Sequence, residues 1–294
     1  TAPCGTGVER MIRRPWACIA IFVLLVSAKA SGETKSISAE TDRHGIGPLR
    51  ITQVFTQFNF YDTDSDRDQL RFRYRAYGFS SGFGFTDDRR LSGYLFGGYM
   101  NAVDRVSSAP RSRTFYDLPQ IGGMVRYAVA PNLFVGSTLL VQPVLGRFKS
   151  VTDRGRKDGW SVSGMPFVSA TLPLDRVFFD VTAGVNLSYL GVNNPGPSDG
   201  FVGSAASASL SLGARYVPTR DLSIGVSVTP AWVLAESDRI SDRGDGPFSI
   251  TFGGQARVQV SGPLWVYGSY SYSLLRPGRS AQSATIGFAW TFGR

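Results

Sequence analysis

From Leu70 to the end of the chain the residues repeat with a period of two, in stretches of more than ten, and this periodicity excludes more folds than any other feature. Leu222, Ile224, Val226, Val228, Pro230, Trp232 and Leu234 alternate with Ser223, Gly225, Ser227, Thr229, Ala231 and Val233. Phe248, Ile250, Phe252, Gly254, Ala256, Val258 and Val260 alternate likewise with Ser249, Thr251, Gly253, Gln255, Arg257 and Gln259. Successive side chains of a strand point to opposite faces, so such segments have one greasy face and one small or polar face. No run of 18 apolar residues exists to cross a bilayer as a helix.

Read this way, the chain contains twelve strands, at 51–61, 70–85, 90–103, 116–129, 133–148, 160–172, 177–190, 201–217, 222–236, 247–260, 264–274 and 283–292. Tight links fall at Asp87-Asp88, Pro131-Asn132, Pro173 to Arg176, Pro218 to Asp221 and Ser261 to Pro263. Longer polar connections lie between them at 62–69, 104–115, 149–159, 191–200, 237–246 and 275–282. Short turns at one end and longer loops at the other are the pattern of outer-membrane barrels, and an even strand number returns both termini to the turn end.

Alternation alone suits equally a soluble sandwich or barrel with its apolar face inward. Three features favour the membrane. Strands of ten or more residues exceed the globular norm of roughly 5 to 6 and suit a tilted crossing of about 9 to 11. The second face is rich in Ser, Gly and Thr, as a wet lumen requires. Trp160, Tyr189, Tyr216, Trp232, Tyr272 and Trp290 sit near strand ends, where an interfacial girdle would lie. The fold class expected is all-β: a transmembrane, antiparallel, up-and-down β-barrel of about twelve strands.

Ahead of the barrel, Arg13 and Arg14 precede the apolar stretch Ala17 to Val26, which is followed by Ala28-Lys29-Ala30. That is the order of a secretory signal, so residues 11–30 read as a cleaved signal peptide starting at Met11 and residues 1–10 as an upstream extension. Cys4 and Cys18 both precede the cleavage point, leaving the exported chain no thiolate for a disulfide or metal. Losing four cations and one anion lowers the formal charge from +9 to +6. A basic exported protein is matched to outer-membrane lipid, lipopolysaccharide phosphates or small anionic solutes, and no nucleic acid is expected. Residues 31–50 form a polar lead-in, and 51–294 the barrel.

The last strand contains Thr285-x-Gly287-x-x-Trp290-x-Phe292, which resembles the C-terminal signal read by the outer-membrane barrel-assembly machinery, although the chain continues past the aromatic with Gly293-Arg294. Together with the twelve-strand layout it resembles the translocator domain of autotransporters over residues 51–294. That resemblance implies a Gram-negative outer-membrane location and a pore crossed by an N-terminal segment. Only residues 31–50 stand where a passenger would. Twenty extended residues reach about 66 Å at most, enough to thread a ~30 Å core and no more.

Inward charges are the candidate chemistry. If Leu70, Phe72, Tyr74 and Ala76 face lipid, Arg71, Arg73 and Arg75 ladder the lumen wall; the same rule puts Arg126, Arg215, Arg257 and Asp180 inside. Six cations against one anion would make an anion-preferring interior, unless they only brace the wall. Asp62, Asp64, Asp66 and Asp68 have the alternation of a calcium loop, but Arg67 and Arg73 occupy the positions that need Gly and Glu, so a solvated loop is expected and no metal. Loop cations such as Arg105, Arg113, Arg154 and Arg156 are suited to lipopolysaccharide phosphates or plain solvation. Gly78-Phe79-Ser80-Ser81-Gly82 matches G-x-S-x-G formally, yet the sole histidine, His44, lies outside the strands. No catalytic residue and no cofactor are expected. Two functions remain open, a narrow passive channel with an arginine-lined lumen and a passenger-less barrel plugged by its N-terminal segment with a structural or adhesive role.

Overall fold

A strand with one greasy face leaves two backbone edges that cannot stay unpaired in an apolar medium. Closing the sheet on itself pairs both. The computed structural model describes residues 49–294 except 68–69, 88, 108–111, 151–153, 194–200, 238–246, 277–278 and 293–294. The expected signal peptide, the extension before it and most of the lead-in, with His44, lie outside the described residues.

Twelve strands follow one another: β1 (Arg50–Arg67), β2 (Leu70–Thr86), β3 (Leu91–Val106), β4 (Ser112–Ala130), β5 (Leu133–Ser150), β6 (Arg154–Leu174), β7 (Val177–Asn193), β8 (Phe201–Thr219), β9 (Leu222–Glu236), β10 (Phe248–Ser261), β11 (Leu264–Arg276) and β12 (Arg279–Thr291). Each pairs antiparallel with its neighbours, and β1 pairs with β12 from Gln53↔Thr291 to Ser65↔Arg279, closing the barrel.

The five tight links lie where the sequence puts them. Gly262 takes a φ of 49° and Asp175 one of 53°, left-handed conformations that glycine and, less readily, aspartate tolerate in a two-residue turn. The β2–β3 turn is held by the Asp87 carboxylate, which accepts backbone N–H bonds from Arg89, Arg90 and Leu91 at 2.8–2.9 Å.

The opposite end differs from expectation. Residues expected as loops at 62–69, 104–115 and 149–159 are largely strand, since β1 runs to Arg67, β2 starts at Leu70, β3 runs to Val106, β4 starts at Ser112, β5 runs to Ser150 and β6 starts at Arg154. The aspartates 62, 64 and 66 lie within β1, their backbones opposite Arg75, Arg73 and Arg71. Pairing needs only backbone groups, and above a lipid layer both faces of a strand can be polar, so the alternation that marks a strand stops before the strand does.

Large apolar side chains are exposed on one face all the way round: Phe58 on β1, Tyr77 and Phe79 on β2, Ile121 on β4, Leu139 on β5, Val226 on β9 and Ile286 on β12. The register links these positions without a change of face, through Phe58↔Phe79, Phe58↔Ile286 and Ile121↔Val141. This wall is a lipid-facing belt. The other face turns into the barrel, where Ala76 is 1% exposed although its neighbour Tyr77 is 58% exposed.

At the seam, the ring of Tyr267 on β11 lies over Gly287 on β12, and its hydroxyl donates to Gln57 Oε1 on β1 at 3.0 Å. One aromatic thus ties three strands across the closure. A Cβ at Gly287 would meet that ring at 2.5 Å and the Thr56 carbonyl oxygen at 2.8 Å. Gly287→Val is expected to destabilise the barrel by about 1–3 kcal/mol through overpacking, read as an earlier urea midpoint in detergent. Ala284→Val, on the outer face of the same strand, should leave the midpoint within about 0.5 kcal/mol.

Candidate functional site

The lumen is the one interior the fold creates, and its lining is uneven. Towards the loop end of β1–β7, Ala76, Ala102, Leu118 and Val144 are buried, with Tyr61, Tyr74, Met100, Tyr116, Leu190 and Val192 packed on them. Tyr61 and Tyr74 meet edge-on at 5.9 Å. This is a small apolar core inside the barrel, built from half of its wall.

The other half of the lining is hydroxylated. Thr182 donates to Ser169, and Thr229 to Ser211, each at 2.9 Å; Thr251 pairs with Ser273, and Ser271 with Ser283, each at 2.8 Å. Asn59 knits the seam from within. Its Nδ2 donates to Ser80 Oγ at 3.2 Å, and its Oδ1 accepts from Thr285 at 3.1 Å and Gln57 at 3.3 Å. Ser80, the middle of the G-x-S-x-G match, is therefore a buried wall residue in mid-strand with no helix after it, not a nucleophile elbow.

Charge enters the lumen mainly near the turn end. Arg126, Arg215 and Arg257 each lie four residues before the ends of β4, β8 and β10, at Ala130, Thr219 and Ser261. Each lies over an aromatic ring of the adjoining strand, Arg126 on Phe134 at 4.9 Å, Arg215 on Phe178 at 4.8 Å and Arg257 on Trp265 at 4.2 Å. Stacking suits guanidinium, which is planar and weakly hydrated, and it leaves the N–H edges free to bond. Arg126 Nε donates to Ser92 Oγ at 2.9 Å. Asp180 lies 3.6 Å from Arg215 and accepts from Thr171 Oγ1 at 2.6 Å. At the same rim a cleft of about 380 Å³ is lined by Arg50, Arg89 and Arg90 together with Ser92 and Phe134, the two residues that touch Arg126.

The expected arginine ladder is not there. Arg73 and Arg75 stand on the outer face, in line with Tyr77 and Phe79, whereas Tyr74 and Ala76 turn inward. Asp62 on β1 accepts from Arg73 Nε and NH2 at 3.2 and 2.8 Å and lies 3.4 Å from Arg75. Arg71 is opposite Asp66 in the backbone register, and its side chain lies outside the described residues. The inversion has a physical reason. The lipid rule, apolar outward and polar inward, holds only at lipid depth; above it the wall faces water and the lumen holds the apolar core. Asp62, expected in a solvated loop, is instead paired with Arg73 and Arg75 along the strand, and the inner apolar core had no separate signal in the alternation.

In the last strand Thr285 and Gly287 face inward, and Trp290 projects from the outer wall, 49% exposed. The Phe292 N–H donates to the Thr52 carbonyl at 2.8 Å, so the motif ends at the closing seam. Replacing Asn59 by Leu strands the buried Ser80 and the Thr285 hydroxyl, and is expected to destabilise the barrel by about 1–3 kcal/mol. Urea unfolding in detergent, compared with Thr182→Val in the opposite wall, measures it.

No known protein-family profile and no curated protein matches the chain. Solved structures do. The translocator domain of the autotransporter NalP from Neisseria meningitidis superposes with a TM-score of 0.68 at 11% identity, covering 94% of this chain and 98% of that one. The transport unit of the autotransporter AIDA-I from Escherichia coli gives 0.62 at 11% identity, over 92% and 97%. An outer-membrane channel from Pseudomonas putida F1 gives 0.56 at 12% identity, over 88% and 100%. This chain has the closed twelve-stranded fold of autotransporter translocator β-domains, shared in outline with an outer-membrane channel.

Proposed function

We propose that this protein is an outer-membrane channel that passes small anionic solutes along the hydroxylated side of its lumen, from an arginine-guarded mouth at the periplasmic turn end. The observation that carries this reading is the set of Arg126, Arg215 and Arg257, at one depth and on the inward face, with Asp180 as their neighbouring acid. Three stacked cations facing one anion give the mouth a positive field, which concentrates anions and repels cations. Beyond them, Ser211, Thr229, Thr251 and Ser273 supply hydroxyls that can both donate and accept, so a stripped anion or its water keeps hydrogen-bond partners along the wall. The side chains of Arg73 and Arg75 face away from this path and take no part in it.

A second reading rests on the inner apolar core around Ala76 and Leu118, which narrows the loop end. If it shuts the lumen, the protein is a closed barrel with a structural or surface role.

Single-channel recording in a planar bilayer under a salt gradient tests the proposal. The full chain is expected to conduct with a reversal potential on the anion side. Replacing Arg126, Arg215 and Arg257 together by Gln should lower the anion-to-cation permeability ratio roughly tenfold. Asp180→Asn should raise it. Ser211→Phe should cut conductance without changing selectivity. Cation preference in the unmodified chain would overturn the reading. Silence that ends when Tyr74 and Tyr116 are both replaced by Ala would establish the closed barrel in its place.

A further inference from the structure

Facing outward at the loop end, Arg73, Arg105, Arg113 and Lys149 stand directly opposite one another across four consecutive strands, through the pairs Arg73↔Arg105, Arg105↔Arg113 and Arg113↔Lys149. Directly opposed side chains lie about 5 Å apart at Cβ, and like charges so placed repel. Nearby cations are matched. Asp62 takes Arg73, Asp117 takes Arg147 at 3.2 Å, and Asp158 takes Arg156 at 3.1 Å. No carboxylate among the described residues pairs with Arg105, Arg113 or Lys149, and all three are exposed. Arg113 is instead fixed against a ring, its guanidinium 4.4 Å from the centre of Phe115. Below them the same outer face of β3–β5 carries Phe115 and Leu145, exposed and apolar, beside the Asp117–Arg147 pair, and further down Leu95, Ile121 and Leu139.

A row of unmatched cations above a wall that turns apolar fits an amphiphile with phosphate above and acyl chains below. We infer that the outer face of β3–β5 is a docking site for a phosphorylated glycolipid of the outer leaflet, with its phosphates on Arg105, Arg113 and Lys149 and its chains on the wall below. Guanidinium binds phosphate oxygens through paired, charge-assisted hydrogen bonds, and lysine adds a point charge. The bound phosphates also relieve the repulsion along the row, so the lipid stabilises the strands it binds. The site is on the opposite face of the wall from the lumenal arginines, and it stands or falls independently of conduction.

Native mass spectrometry of the full chain in neutral detergent micelles, with bisphosphorylated lipid A added, tests this inference. Bound lipid A is expected to persist against excess phosphatidylcholine. The R105Q/R113Q/K149Q variant should bind it at least tenfold more weakly, and the lumenal R126Q/R215Q/R257Q variant as tightly as the unmodified chain. If the outer triple variant does not fold, R105Q and R113Q singly are each expected to weaken binding about threefold. Equal binding by the outer variants, equal retention of lipid A stripped of phosphate, or full displacement by inorganic pyrophosphate at concentrations matched to the lipid would each overturn the inference. The last outcome would mean a site for free anions.

Discussion

Everything in this protein depends on the backbone's need for partners where water is absent. An unpaired N–H or C=O in hydrocarbon costs several kcal/mol, so a sheet that enters lipid must close. The seam between β1 and β12 is where that requirement is met, and local sequence shows its weight. Gly287 leaves room for the Tyr267 ring to reach Gln57 across it, Thr285 donates to Asn59 across it, and the Phe292 N–H extends the pairing past the last strand residue. Thr285, Gly287 and Phe292 of the motif resembling an assembly signal thus all take part in the closure.

Closure creates two surfaces with different solvents, and each changes character along its length. Outside, the wall is apolar from the turn end upward and becomes charged at Asp62, Arg73, Arg105 and Asp117. Inside, it is cationic near the turn end, hydroxylated along one side and apolar near the loop end. The inner core spans the level at which the outer wall passes from apolar Tyr77 and Leu145 to charged Arg75 and Arg147. Side chains packed across the lumen there add apolar burial to strands whose outer face is turning polar.

This change along the axis explains what the sequence disclosed and what it hid. Alternation over Leu222–Glu236 and Phe248–Ser261 marks strands, faces and turns, because there the exposed face is apolar and the lumenal face small or polar. The same rule expects Arg126, Arg215, Arg257 and Asp180 on the lumenal face, and the register puts Arg215 beside Phe178 and Arg126 beside Gly136. At Leu70–Ala76 it fails. Arginine alternating with Leu, Phe, Tyr and Ala has the same pattern whether the apolar set faces lipid or an inner core, and nothing in one strand says at what depth it lies. The partner strand supplies part of the answer: the parity of Asp62 and Asp64 puts them on one face with Arg75 and Arg73, whichever face that is. Matching charges between successive segments would have revealed the pairing of Asp62 with Arg73 and Arg75, and with it the extra strand length.

The distribution of arginine follows from the same geometry. A guanidinium stacked on an aromatic ring is held at a fixed height without a carboxylate, so its charge remains available to a ligand. Described arginines held this way include Arg126, Arg215 and Arg257 within the lumen, Arg113 on the outer wall and Arg90 in the β2–β3 turn. Those held by carboxylates, Arg73, Arg75, Arg147 and Arg156, have their charge answered within the protein. Aromatic seating therefore separates arginines that present charge from arginines that stitch strands together. Arg215, which has both the Phe178 ring and Asp180 at 3.6 Å, belongs to both groups.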